Sequence, residues 1–428
     1  MNKQILFSAI GGCAFAAVLA IPAVVTAQTY ATGDPRNPSE PSTPSACQTL
    51  NAQFTSSSVD VSSPTTSDDT SRIQAALTAC ENTGNAVVLH INGSDNAFLS
   101  GKLTIGTDES LVIDSGVTLY GNNSYNSESE LIDVTGSNTG IFGSGTIDGR
   151  ENVHSMSDEP RLVQTNNASN FNIANITLQN AAKPNLYIQG GSGATVWNVT
   201  INTSPNQANA DGIDIDSISD VTVANSNITA GDDGIAVKTN ESAASNITVK
   251  NTNVYGTHGL SIGSQTFDGV TNVLFENDYV YGKSSGGTAS TDANAINIKT
   301  DVDCGGTVKQ VTYENICIRY AKHLIIVNAN YGSCSGTSGT PKFQEIIVNG
   351  VKSENSVSGA YETFAGYNSS NIGQIYLGNI DLDVNTQSGD QYFSTFLDNV
   401  NGLDPSGTDV TDGTWSASGS VPSCSFAF

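Results

Sequence analysis

A degenerate eight-residue unit, alternating apolar and polar residues with Asn usually fifth, recurs from residue 171 onward and constrains this chain more than any other feature. It reads FNIANITL at 171, ATVWNVTI at 194, VTVANSNI at 221, ITVKNTNV at 247, VLFENDYV at 273, VTYENICI at 311, IIVNGVKS at 346 and IYLGNIDL at 375. Successive copies start 23, 27, 26, 26, 38, 35 and 29 residues apart. Each copy fits a short strand, a tight bend and a second short strand, and the rest of each interval holds loops and further strands. Repetition at this period without intervening helices excludes a βαβ sheet and predicts stacked parallel coils. The expected fold is therefore all-β, a right-handed parallel β-helix.

The fifth place is Asn175, Asn198, Asn225, Asn251, Asn277, Asn315 and Asn379, with Gly350 as the exception. Asn tolerates a left-handed backbone, and stacked copies can hydrogen-bond from coil to coil. Sequons such as those at Asn198 and Asn246 are accordingly read as ladder residues before they are read as glycan acceptors. Less regular strands near Leu111–Leu119 and Gly140–Asp148 extend the stack. The only strong helix signal runs from about Thr70 to Cys80, behind the potential capping residues Ser67, Asp68 and Asp69. That helix is expected to close the open N-terminal end of the solenoid, where unpaired strand edges invite aggregation.

Ahead of it, Lys3, an apolar run from Ile5 to Val25 and the small residues before Gln28 read as a cleavable export signal over residues 1–27. Residues 28–46, rich in Pro, Ser and Thr, read as a flexible leader, and residues 47–428 as a single parallel β-helix domain. Once Cys13 leaves with the signal, six cysteines remain, an even number in an oxidising destination, so disulfides are expected, with Cys47–Cys80 as the first guess. The expected location is extracellular. Without Lys3, 15 basic residues face 41 acidic ones, a formal charge of −26. Such a surface repels nucleic acid and anionic membranes, so neither is an expected partner, and a monomer is the expected state.

In a solenoid, residues one repeat apart in sequence stack on one face. Asp211, the Asp232–Asp233 pair, His258 and, past a Gly/Ser/Thr-rich insertion at Lys283–Ala293, Lys299 follow one another at about that interval. They sit in Asn209-Ala-Asp-Gly, Gly231-Asp-Asp-Gly234, Thr257-His-Gly-Leu-Ser-Ile-Gly-Ser264 and Asn297-Ile-Lys299. Single Asp-Gly pairs are ordinary turn formers, and adjacent aspartates can bind calcium. Carboxylates gathered on one stripe also raise one another's pKa, and one protonated and one ionised carboxyl is what glycoside hydrolysis needs. Room for a water between acid and base would give inversion. No metal or other cofactor is called for.

These four segments resemble the signature blocks of polygalacturonases, glycoside hydrolase family 28, whose usual patterns are NTDG, GDD, GHGxSxGS and RIK. The similarity runs from the helix near Thr70 to about Tyr331. The resemblance implies a pectin-type polygalacturonate substrate, Asp232 as general acid, and Asp211 with Asp233 activating the attacking water. It further implies that His258 supports the acid, that Lys299 binds the uronate carboxylate, that Asn209 orients the first carboxylate and that Tyr331 lines the groove. Two places depart from the pattern: Ala210 stands where the family has Thr, and Asn297 where it has Arg. Arginine and asparagine are not interchangeable in a bidentate contact, which keeps substituted galacturonan and rhamnogalacturonan open as substrates. A calcium-dependent pectate lyase and a non-catalytic pectin-binding solenoid are the competing readings; scarce arginine opposes the first, and the intact carboxylates oppose the second.

Overall fold

The computed structural model describes residues 28–59, 68–122, 127–151, 160–283, 293–334 and 339–425. The signal segment, Ser67 and most of the insertion at Lys283–Ala293 lie outside the described residues. The strands of the described chain join in parallel, coil upon coil, into a right-handed parallel β-helix. The first five repeat units each form two successive strands of a coil, the last three one strand that runs through the bend, and a further strand follows on another face.

The bend inside each unit is made as its sequence requires. All eight fifth-place residues adopt positive φ, from 51° at Asn379 to 72° at Gly350. The ladder is visible where Asn198 Nδ2 donates to Asn175 Oδ1 at 2.6 Å and Asn315 Nδ2 to Asn277 Oδ1 at 3.2 Å. Asn246, the other sequon singled out, donates to Asp220 Oδ1 and accepts from Asn272.

Inward positions stack as aliphatic rows. On the face that carries the site, Ile213, Ile235, Leu260, Ile296 and Ile325 stand in register and are fully buried. A second row, Ile215, Val237, Ile262, Ile298 and Val327, runs beside it. Each such side chain contributes about 1.5–3 kcal/mol by burial, so the rows fix which residues between them face outward.

The helix spans Thr70–Cys80, as the sequence predicts, and buries Ile73, Ala76, Leu77 and Cys80. It closes the end of the solenoid through specific bonds. Asp69 Oδ2 accepts from the amide of Leu99, Thr70 Oγ1 from Gly101, and the Gln74 side chain both accepts from and donates to the backbone of Thr104. Cys47–Cys80 is formed; Cys304–Cys334 and Cys317–Cys424 complete three disulfides.

The expectation of a flexible leader does not hold for residues 31–40, which lie across one sheet and bond to six successive coils. Ala31 N donates to Thr312 Oγ1, Gly33 N to Asn272 Oδ1 and Asp34 N to Thr248 Oγ1. Asp34 then accepts from Thr222, Arg36 donates to Ala194 O, and Glu40 accepts from Asn175. Gly33 is required there: its φ is 64°, and a Cβ would stand 2.0 Å from Thr248 Oγ1. Composition misled because polar, proline-containing segments can still satisfy their backbone groups on a ready-made row of hydroxyls and amides.

Candidate active site

The site grows from strands Ile213–Asp216, Asn227–Thr239, Asn253–Thr266 and Asn294–Lys299. Ile213 pairs with Ile235, so Asp211 precedes the first strand at the level of Asp233, and Asp233 pairs directly with His258. The chain reaches Asp232 through Gly231, whose Cβ would lie 1.8 Å from Gln207 O; only glycine allows the loop this close. A cleft of about 430 Å³ opens over these residues and is lined by Asn209, Asp211, Asp232, Asp233, Lys299 and Tyr331, among others.

His258 Nδ1 lies 2.8 Å from Asp232 Oδ1 and 3.3 Å from Asp233 Oδ1. Lys299 Nζ lies 3.0 Å from Asp233 Oδ2, and Ser261 Oγ donates to Asp233 Oδ1 at 2.8 Å. Burial works against charge on His258, but the two aspartates raise its pKa to about 9. Burial likewise opposes ionisation of Asp233, yet Lys299 and His258 hold it far below the ordinary carboxylate range. Asp232 is also lowered: burial pushes up most strongly, but the bond to His258 together with the charges of His258 and Lys299 outweighs it. With a side chain 30% exposed against 4% for Asp233, Asp232 is the carboxylate of this pair that a ligand can reach.

Asp211 and Asp214 behave differently. Burial and mutual repulsion raise Asp211 well above its usual range, and burial raises Asp214, although Lys238 opposes both shifts. Lys238 Nζ bridges them, 2.7 Å from Asp211 Oδ2 and 2.9 Å from Asp214 Oδ1. Four carboxyls, Asp211, Asp214, Asp232 and Asp233, thus face three cations, Lys238, Lys299 and His258. One proton on the Asp211–Asp214 pair brings the cluster to neutrality, the condition a buried site favours.

Two of the residues singled out in the sequence sit differently in detail. Asn209 lines the cleft, exposed and with φ 56°, but its side chain makes no hydrogen bond to Asp211; Lys238 holds that carboxylate. Asn297 is 2% exposed and donates to Ser261 Oγ at 3.2 Å, which places it behind Asp233 and out of the cleft lining. Tyr331 is 54% exposed at the cleft edge, with Lys299 Nζ 5.1 Å from its ring centre. Lys238, Asp214, Arg161, Lys183 and Tyr187 also reach the cleft and were not singled out. Lys238 carried a usable signal, because it lies 27 residues after Asp211, one coil on.

The model of glycosyl hydrolases family 28 matches residues 80–395, which include every group described above. The chain belongs to this family. An endo-polygalacturonase of Pectobacterium parmentieri is 33% identical over 361 residues, 75% of this chain and 83% of that protein. A polygalacturonase of Ralstonia solanacearum is 29% identical over 446 residues, 86% of this chain and 82% of its own. The solved polygalacturonase from Erwinia carotovora ssp. carotovora matches with a TM-score of 0.72 and 30% identity, covering 87% of this chain and all of that one. As a family 28 member the chain is a glycoside hydrolase. Asp232, Asp233 and His258 bring potential ligand atoms within 4.8 Å of one another, a possible cation site in other surroundings. In this family 28 chain Lys299 and the His258 imidazolium already balance both carboxylates at 3.0 and 2.8 Å.

Proposed function

We propose that this protein is an exported polygalacturonase that hydrolyses α-1,4 galacturonosyl linkages of polygalacturonan in pectin with inversion. The observation that carries the reading is the division of the carboxylates: Asp232 accessible and coupled to a protonated His258, Asp211 and Asp233 buried beside cations. Asp232 stands where it can protonate the glycosidic oxygen. The Asp232–His258 dyad holds one proton between its partners, and a uronate docking beside Asp232 adds negative charge that draws the proton onto that carboxyl. Asp211 and Asp233, one coil apart, are the pair to orient and deprotonate the water on the other side of the bond. Lys299 is the cation for the carboxylate of the sugar at the cleavage point. The polygalacturonase names of the relatives agree with this substrate. Three disulfides agree with an oxidising destination, and no helix among the described residues is long and apolar enough to cross a membrane.

The test is incubation with polygalacturonic acid at mildly acidic pH in the presence of a chelator. Hydrolysis gives new reducing ends without ultraviolet absorbance, and proton NMR of the first products reads the anomeric configuration. Asp232→Asn should lose at least a thousandfold in kcat while still binding the polymer. Absorbance of a conjugated double bond, or retention of configuration, would refute the mechanism. Asn297 favours a second reading, in which a substituted galacturonan or rhamnogalacturonan is turned over faster than the plain polymer; ranking these substrates by kcat/KM decides it.

A further inference from the structure

The cleft continues beyond the catalytic groups toward the N-terminal coils. Val163, Leu186, Ile213 and Ile235 pair in sequence, so Arg161, Pro184, Asp211 and Asp233, each two residues earlier, fall on one line up the face. Backbone bonds confirm the levels: Leu162 N to Pro184 O, Asn185 N to Asp211 O and Gly212 N to Asp233 O. Arg161 therefore stands two coils from Asp211, roughly 10 Å at the spacing of hydrogen-bonded strands, with Lys183 one coil closer.

Arg161 is placed as a recognition group. Its guanidinium lies over the Tyr187 ring, 4.1 Å from the centre, and donates to the neutral amide of Gln164 at 2.8 Å. Tyr187 is itself fixed by a hydrogen bond from its hydroxyl to Asp216. Among the described residues no carboxylate forms an ion pair with Arg161, in a chain whose formal charge is −25. Lys238 and Lys299, two further cations of the cleft, each already contact a catalytic-cluster carboxylate within 3.0 Å.

We infer that Arg161, supported by Lys183, forms a uronate-binding subsite one to two sugars from the scissile bond on the N-terminal side, supplying the guanidinium clamp that Asn297 does not. The inference rests on the proposed action on polygalacturonan. Its ligand is a free galacturonate carboxylate, and a methyl ester at that position, having lost the charge, is the ligand it discriminates against.

The experiment measures binding of a de-esterified hexagalacturonide and of its methyl-esterified counterpart to Asp232→Asn and to the double variant Asp232→Asn/Arg161→Gln, alongside turnover by the parent and by Arg161→Gln. The expected result is a Kd about tenfold weaker for the de-esterified ligand, little change for the ester, and a KM that rises far more than kcat falls. Arg161→Lys should recover part of the affinity. Unchanged Kd for the de-esterified ligand, or equal losses for both ligands, would overturn the subsite. A parent without turnover whose Asp232→Asn variant still loses affinity through Arg161→Gln would sink the hydrolytic reading and sustain the subsite. Should Arg161→Gln fail to fold, Lys183→Gln carries the same comparison, with the same pattern expected at smaller size and the same null result overturning the proposal.

Discussion

Replacing Lys238 by methionine removes the cation between Asp211 and Asp214 while keeping the length of its stem. Both carboxylates are nearly sealed from water, with side-chain exposures of 7% and 2%. Removing one partner of a buried ion pair costs about 3–5 kcal/mol, because the remaining charge is left uncompensated. The protein escapes part of that cost by protonating the carboxylates, whose pKa values, already raised by burial, rise further without Lys238. For an acid whose folded pKa exceeds the unfolded one, the folded state binds more protons, so stability falls as pH rises from the unfolded pKa through the folded one. Lys238→Met should therefore lose several kcal/mol at pH 8 and visibly less at pH 5, read as denaturant midpoints against the parent at each pH. Activity at neutral pH should fall roughly 100-fold, since about 3 kcal/mol of that interaction holds Asp211 ready to accept a proton from water. Equal loss of stability at both pH values, or activity within threefold of the parent, would refute the role assigned to Lys238.

His258 gives a second pH test: its pKa is near 9 folded against 6.5 unperturbed, so its contribution is complete below about pH 6.5 and disappears as pH rises through about 9. His258→Asn should flatten the parent's loss of stability over that window, which denaturant titrations at four pH values can read. Asn198→Ala places a Cβ-bearing residue without a local hydrogen bond at φ 52° and removes the bond to Asn175, for an expected cost of about 1–2 kcal/mol, while Asn198→Gly should cost less; chemical denaturation separates them. Gln74→Ala uncovers both backbone groups of Thr104 at the capped end and should cost about 1–2 kcal/mol, with faster amide exchange confined to residues 103–105.

The solenoid was readable because its period is local. Fifth-place Asn and one Gly declare the left-handed bend in every copy, and the coil interval then brings Asp211, Asp233 and His258 together without knowledge of any contact. Helix bounds and Cys47–Cys80 follow from equally short-range signals. What the sequence hid depends on side-chain reach. Lys238 sits five residues past Asp233 in the same strand, yet its ammonium returns to the coil below; Arg161 lies in a coil with no signature block; Asn297 turns toward Ser261. The pairings of Cys304 with Cys334 and Cys317 with Cys424 close over 30 and 107 residues, and the second joins the C-terminal segment to a mid-chain coil. Spacing alone does not select them from the alternatives.

The segment from Ala31 to Glu40 bonds in turn to Thr312, Asn272, Thr248, Thr222, Ala194 and Asn175, with Asp34 alone reaching two coils and no step longer than four residues. A stack of repeats in contact only with its neighbours melts like a one-dimensional array, free to fray or to gain and lose units. This peptide acts as a ruler laid along the axis: inserting or deleting one coil between residues 175 and 312 would put every later contact out of step by one strand spacing. It therefore couples coils that never touch, makes their melting collective, and holds the number of turns beneath the catalytic groups constant while the loops around the cleft remain free to change.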